Sequence, residues 1–67
     1  MKNLIKQELK NWFPNIKGIN SGMIESVENM FLEYVNNKGE VTDPELELAK
    51  FLDDKYLDVE CELESWD

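Results

Sequence analysis

The side chains of this sequence that could do chemistry are mostly carboxylates, and they are concentrated in its second half. Residues 40–67 contain eleven Asp and Glu against two Lys, whereas residues 1–39 contain four acids against five Lys. The net charge of −8 therefore belongs almost entirely to the C-terminal half. Carboxylates at this density could act as general acids and bases, bind a cation, or present negative charge to a basic partner.

Catalysis has little support in the residue types. The neighbours Asp53 and Asp54 suggest acid–base chemistry, but a catalytic carboxylate needs a pocket that shifts its pKa, and a chain of 67 residues has little room for one. The sequence contains no His and no Arg, and no nucleophile stands beside a base. Cys61 is interpreted as a small apolar residue. We therefore expect a binding protein rather than an enzyme.

Metal and cofactor sites are also not indicated. A single Cys without any His excludes an ordinary structural zinc site and an intrachain disulfide. Residues 34–45 have the Gly and the final Glu of a calcium-binding loop at Gly39 and Glu45, but Lys38 stands where the loop needs a ligand. We expect no metal and no cofactor.

The remaining use of the carboxylates is contact with a basic protein. Excess like charge destabilises a small fold through repulsion, and solubility alone needs less of it. Acidic side chains can imitate the phosphates of a nucleic acid and so fill a basic, nucleic-acid-binding groove, while they repel nucleic acids and anionic membranes themselves. We expect the contact surface to consist of six acids: Asp53, Asp54, Asp58, Glu60, Glu62 and Glu64.

In size and charge the chain resembles phage-encoded DNA mimics, anti-restriction and anti-CRISPR proteins, and antitoxins or immunity proteins that cover a basic nuclease. This resemblance of class implies an inhibitor of a nucleic-acid-binding protein. The alternative hypothesis is a dimeric helical adaptor or regulatory protein whose charge serves only solubility. Salt separates the two, because phosphate mimicry requires strongly salt-sensitive binding.

Length and composition indicate a single small acidic domain covering residues 1–67. A hydrophobic fraction of 42% is enough for a core, although a chain this short has a small stability margin. No apolar run exceeds three residues, which is too short for a signal peptide or a membrane span. One unpaired Cys fits a reducing compartment. We expect a cytoplasmic protein of a bacterium or of a phage-infected cell.

Apolar periodicity predicts a mainly α fold, a small three-helix domain followed by an acidic tail. Pro14 should end the first helix, Asn20 or Ser21 should cap the second, and Gly39 should end it. A Thr42–Glu45 capping box should begin the third helix, with a hydrophobic staple between Val41 and Leu46. The three helices are expected near residues 2–13, 21–36 and 43–56.

The predicted core combines the apolar stripes of the three helices. Replacing Phe31 by Ala should therefore cost enough stability to unfold the domain. The predicted core residues are Ile5, Leu9, Trp12, Ile24, Val27, Met30, Phe31, Val35, Leu46, Ala49 and Leu52.

Residues 58–66 fit two patterns. Alternating acidic and apolar residues predict a strand, in which the four acids would form a row spaced by about 6.6 Å. The same segment fits a helical seam through Tyr56, Val59, Leu63 and Trp66. Poor helix formers favour the strand slightly. In both alternatives an apolar face lacks an intrachain partner, which predicts homodimerisation through residues 56–66.

Overall fold

The structure, a computed structural model, describes residues 1–39 and 41–66 and consists in that part of four α-helices without a β-strand. The mainly helical fold is confirmed. The acidic tail is a fourth helix, so the strand alternative for residues 58–66 is wrong. Only Lys55, with φ −111° and ψ 28°, separates the third helix from the fourth. The helices are α1 Lys2–Trp12, α2 Ser21–Lys38, α3 Pro44–Asp54 and α4 Tyr56–Glu64.

The ends of α2 follow the sequence signals. The side-chain oxygen of Asn20 accepts a hydrogen bond from the Met23 backbone N–H at 2.9 Å, as expected of an N-cap. Gly39 ends the helix with φ 105°, a conformation that side chains with a Cβ rarely adopt. Both predictions for this helix are confirmed.

The start of α3 differs from the prediction. Asp43, not Thr42, is the N-cap, and its carboxylate accepts from the backbone N–H groups of Glu45 and Leu46 at 3.2 and 3.4 Å. This places Glu47, rather than an apolar residue, at the fourth helical position. The hydrophobic staple is therefore absent, and Leu46 is 53% exposed.

One continuous core lies between the helices. Among the described residues, α2 and α3 pack against each other and each packs against both α1 and α4. The rings of Phe31 and Phe51 meet at the centre with centroids 5.5 Å apart. The buried core residues are Ile5, Leu9, Phe13, Met23, Ile24, Val27, Phe31, Leu48, Phe51, Leu52, Val59 and Leu63.

Six of the eleven predicted core residues are buried, and one predicted core residue is wrong. Trp12, Met30 and Val35 are half-buried against the core, and Ala49 is half-buried. Leu46 lies outside it because the inward face of α3 is defined by Leu48, Phe51 and Leu52. The error came from setting the helical phase by a staple that does not form. The predicted core residues that are buried are Ile5, Leu9, Ile24, Val27, Phe31 and Leu52.

The apolar face of α4 is used within the chain. Val59 and Leu63 are fully buried against α2 and α3. The expectation of an unpartnered face in residues 56–66, on which the dimer prediction depended, is therefore wrong for these two residues. Cys61 lies on the exposed side of α4.

In the ranges 1–39 and 41–66, no helix combines the length and hydrophobicity that crossing a bilayer requires.

Candidate partner-binding surface

The six predicted site acids do not form one row. Asp53 and Asp54 end α3, and the other four belong to α4. Because successive helical residues are rotated by about 100°, Glu60 and Glu64 lie on one flank of the buried face of α4, and Asp58 and Glu62 lie on the other. The straight row expected of a strand is therefore absent. The acids Glu40 and Asp67 of the same charged segment lie outside the described residues.

Three of the acids meet at the junction of α3 and α4, which we call the acidic corner and define as Asp53, Asp54 and Asp58. All three are exposed and line one shallow depression there together with Lys55. Asp54 also accepts a hydrogen bond from the Tyr34 hydroxyl at 3.3 Å, which links the corner to α2. The corner presents three carboxylates beside one cation.

Asp54 and Asp58 also border a broad groove between the C-terminal half of α2 and the α3–α4 junction. This groove has a volume of ≈ 710 Å³, and Met30 and Phe51 contribute its apolar lining. Its rim carries charges of both signs, since Lys38 and Lys55 accompany its acids. The groove therefore lacks the uniform negative charge that contact with a basic partner would favour.

Glu62 is directed into the molecule. Its Oε2 accepts hydrogen bonds from the Ser26 hydroxyl at 2.7 Å and from the Trp66 indole N–H at 3.2 Å. The Trp66 ring covers Gly22, where a Cβ would lie 2.6 Å from the ring. Glu62 thus joins α4 to α2, and its carboxylate is occupied within the chain. This predicted site residue has a structural contact that the sequence analysis missed.

A sequence signal for this contact existed in the spacing of small residues. Gly22 and Ser26 stand four residues apart in α2, on one face of the helix, and Glu62 and Trp66 have the same spacing. Small residues on one helix allow a large side chain of another to approach closely. What the sequence lacks is any indication that these two pairs, about forty positions apart, face each other.

The carboxylates differ in whether a cation neutralises them. Both ion pairs in the part of the chain that the structure describes involve Glu47, which lies 2.8 Å from the Lys38 ammonium and 3.8 Å from that of Lys50. Lys38 also lies 5.6 Å above the Tyr34 ring. The hydrogen bond to Glu47 raises the pKa of Lys38 above its ordinary value. The acidic corner and the two acids Glu60 and Glu64 have no such partner among the described residues.

A second feature missed by sequence analysis is an aromatic cleft between α4 and the end of α1 with the loop that follows. Its aromatic lining comes from Trp12, Phe13 and Tyr56, and Glu60 and Glu64 line the α4 side. The Tyr56 ring stacks on Phe13 with centroids 4.8 Å apart and lies 6.3 Å from Trp12. The cleft has a volume of ≈ 440 Å³.

The cleft lies where the backbones of α1 and α4 do not approach each other in the described structure, although the rings of Trp12 and Tyr56 meet. Pro14 ends α1 just after Trp12 and Phe13, so the chain turns away and leaves these rings at the helix end. The aromatic pair before a proline is visible in the sequence, which predicts Trp12 as a core residue. Its position opposite two carboxylates is a property of the tertiary structure.

The arrangement offers surfaces for binding. Within residues 1–39 and 41–66, no group of three or more Cys, Asp or Glu side chains is placed to hold a metal ion.

Compared with protein-family models, with curated proteins and with solved structures, the chain matches none of them.

Proposed function

We propose that this protein is a small acidic inhibitor that occupies a basic, nucleic-acid-binding surface of another protein. The observation that supports it is the difference between neutralised and unneutralised acids. Glu47 is paired with two Lys, whereas the acidic corner and the Glu60–Glu64 flank present carboxylates that no ion pair within the described chain satisfies. Such charge attracts a basic surface and is attenuated by salt.

The position of Glu64 supports a role in binding over a role in solubility. It lies in the last turn of α4, which contains no basic residue. A negative charge at the C-terminal end of a helix opposes the helix dipole and costs about 0.3–1 kcal/mol. Solubility could be provided by acids at positions without this cost. A carboxylate kept at an unfavourable position is better explained by contact with a partner.

The adaptor hypothesis has less support. It required an apolar face on residues 56–66, and Val59 and Leu63 contribute that face to the core instead. The large apolar side chains of this segment that are exposed are Leu57, at 72%, and Trp66, at 45%, and the smaller Cys61 is exposed as well. Homodimerisation stays a prediction, and sedimentation at micromolar concentration measures it.

The function is tested by capture and competition. The immobilised protein is exposed to a bacterial lysate, retained proteins are eluted with a salt gradient and identified, and the captured partner is purified. We expect a nucleic-acid-binding protein that is displaced by increasing salt and whose binding competes with DNA or RNA. A partner that binds the protein and a polynucleotide simultaneously would contradict the proposal.

A matched pair of variants assigns the interaction to the charge of the C-terminal half. The first carries Asp53→Asn, Asp54→Asn and Asp58→Asn, and the control removes equal charge from α1 and α2 through Glu8→Gln, Glu25→Gln and Glu28→Gln. We expect the corner variant to weaken binding at low salt much more than the control, with the difference shrinking as salt rises. Equal binding by the corner variant and the parent would show that the acidic corner is not the contact surface.

A further inference from the structure

The aromatic cleft combines two kinds of group that together recognise one kind of side chain. Trp12 and Tyr56 provide half-buried aromatic rings, and Glu60 and Glu64 provide carboxylates one helical turn apart on the adjoining wall. Aromatic faces attract cations through their quadrupole, and Trp does so most strongly. The carboxylates add direct charge pairing. Each kind of group favours a cation, and the carboxylates repel an anion.

We propose that the aromatic cleft receives an arginine side chain of the basic partner. This inference rests on the proposed function to the extent that the partner presents a basic surface. The guanidinium would stack on Trp12 or Tyr56 and donate hydrogen bonds to Glu60 or Glu64. Arg fits better than Lys, because a planar guanidinium both stacks on aromatic rings and pairs with carboxylates through parallel hydrogen bonds.

The dimensions and lining of the cleft agree with this occupant. A volume of ≈ 440 Å³ lies in the range of small-ligand sites, about 300–1,000 Å³, and is too small for a docked helix. Trp12 and Ile16 line the cleft, are half-buried, and offer apolar surface to the methylene stem of an inserted Arg. The occupant would therefore place its apolar stem against these side chains and its charged end beside the carboxylates.

The charges around the cleft leave its carboxylates available. Lys17, an exposed residue of the α1–α2 loop, is the cation among the residues that line it. The ion pairs of the described chain are both made by Glu47, on a different helix. Lys17 should therefore repel an incoming Arg and weaken its binding without neutralising Glu60 or Glu64. This gives the proposal a variant that should bind more tightly.

The test uses a defined probe, the peptide acetyl-Gly-Gly-Arg-Gly-Gly-amide, titrated into the full chain at low ionic strength and followed by NMR. The two indole N–H signals provide an internal comparison, since Trp12 lines the cleft and Trp66 lies over α2 at Gly22. We expect the Trp12 signal to shift and the Trp66 signal to stay. The peptide with Lys in place of Arg should bind more weakly.

Five variants distinguish binding in the cleft from general electrostatic attraction to an acidic protein. Glu64→Gln should weaken peptide binding about two- to fivefold, the effect of losing one exposed charge pair. Glu25→Gln removes the same charge from α2, away from the cleft and the acidic corner, and should change binding much less. Lys17→Gln should strengthen binding, and its control Lys6→Gln, on α1, should not. A fifth variant, Trp12→Leu, should weaken binding, and its folding is checked by circular dichroism.

Two results would overturn the proposal: an unmoved Trp12 signal, or equal losses from Glu64→Gln and Glu25→Gln. If either occurs while DNA still competes with the captured partner, the acidic corner carries the interaction and the proposed function stands. If the peptide binds in the cleft while a polynucleotide does not compete with the captured partner, the arginine site stands and the proposed function fails. Should Trp12→Leu not fold, Glu64→Gln and Lys17→Gln still decide the question.

Discussion

The two flanks of α4 carry the same kind of side chain and use it in opposite ways. On the flank toward α2, the Glu62 carboxylate accepts hydrogen bonds from Ser26 and Trp66. On the other flank, Glu60 and Glu64 line an open cleft. Acids only two positions apart thus divide between an internal contact and a candidate partner-binding surface. In an acidic segment, a residue's role depends on what its helix packs against as well as on its type.

The difference comes from the neighbouring helices. Gly22 and Ser26 are small, so the end of α4 and the Trp66 ring can approach α2 closely. On the cleft side, the large rings of Trp12 and Phe13 meet Tyr56, and the backbones of α1 and α4 do not pack together. Small residues thus allow close packing on one flank of α4, and large aromatic residues line a cleft on the other.

The largest expected effect is unfolding of the whole domain, which would abolish both flanks of α4 together. Phe31, in α2, is 1% exposed and packs against Phe51, in α3. Phe31→Ala should cost about 3–5 kcal/mol, comparable to the whole stability of a domain of this size. Circular dichroism during thermal unfolding measures it, and Leu32→Ala, at an exposed neighbouring position, is the control. A variant that melts like the parent would show that the core assignment is wrong.

The next-largest expected effect is a loss of stability that differs between the two flanks of α4. Glu62→Ala leaves the half-buried Ser26 hydroxyl without its acceptor and should destabilise the protein by about 1–2 kcal/mol. Glu64→Ala, which removes an acid from the cleft flank, should not destabilise it. Urea unfolding of both variants and of Ser26→Ala gives the values. Equal losses for Glu62→Ala and Glu64→Ala would remove the distinction between the flanks.

Gly22→Ala examines the close approach on the α2 side. The added Cβ would lie 2.6 Å from the Trp66 ring, so the exposed ring should move away. Because Ala also favours helix, the net stability change should stay within about 1 kcal/mol. In a Trp12→Phe background, the fluorescence of Trp66 should shift toward longer wavelength. An unchanged emission spectrum would mean that Trp66 does not depend on Gly22.

A smaller expected effect is an increase in stability. Glu64→Gln relieves an unfavourable interaction with the C-terminal end of α4 and should stabilise the protein by about 0.3–1 kcal/mol. Asp58→Asn, in the first turn of the same helix, should not stabilise it, because a negative charge is favourable there. Thermal melts at low salt compare the two. A destabilised Glu64→Gln variant would contradict the argument that this position is costly.

The smallest effect lies outside α4 and concerns the neutralised acid Glu47. Its hydrogen bond from Lys38 raises the pKa of Lys38 above 10.5, so protonated Lys38 is favoured in the folded state. The resulting stabilisation is complete below the unfolded pKa and is lost as pH rises through the folded value. Because Lys38 is exposed, we expect a slight loss of stability above pH 10 that is absent in Lys38→Met. An equal alkaline loss in both proteins would assign it to other groups.

Local sequence patterns determined much of the secondary structure. Asn20 and Gly39 delimited α2 correctly, because capping and positive φ depend on residues within one helical turn. The start of α3 was misplaced by one residue, since Thr42 and Asp43 are both good caps and the backbone adopts only one. The charge asymmetry was likewise a property of the sequence alone.

The tertiary structure decided the state and orientation of residues 56–66. Their pattern fitted both a strand and a helix, with the strand slightly favoured, and packing of Val59 and Leu63 against α2 and α3 selected the helix. Ser26 and Glu62 are 36 positions apart, and Trp12 and Tyr56 are similarly distant. Sequence periodicity carries information only about residues that lie within one helical turn or one strand of each other. Which distant surfaces meet, and so which acids are bound internally and which face a cleft, depends on the packing of all four helices.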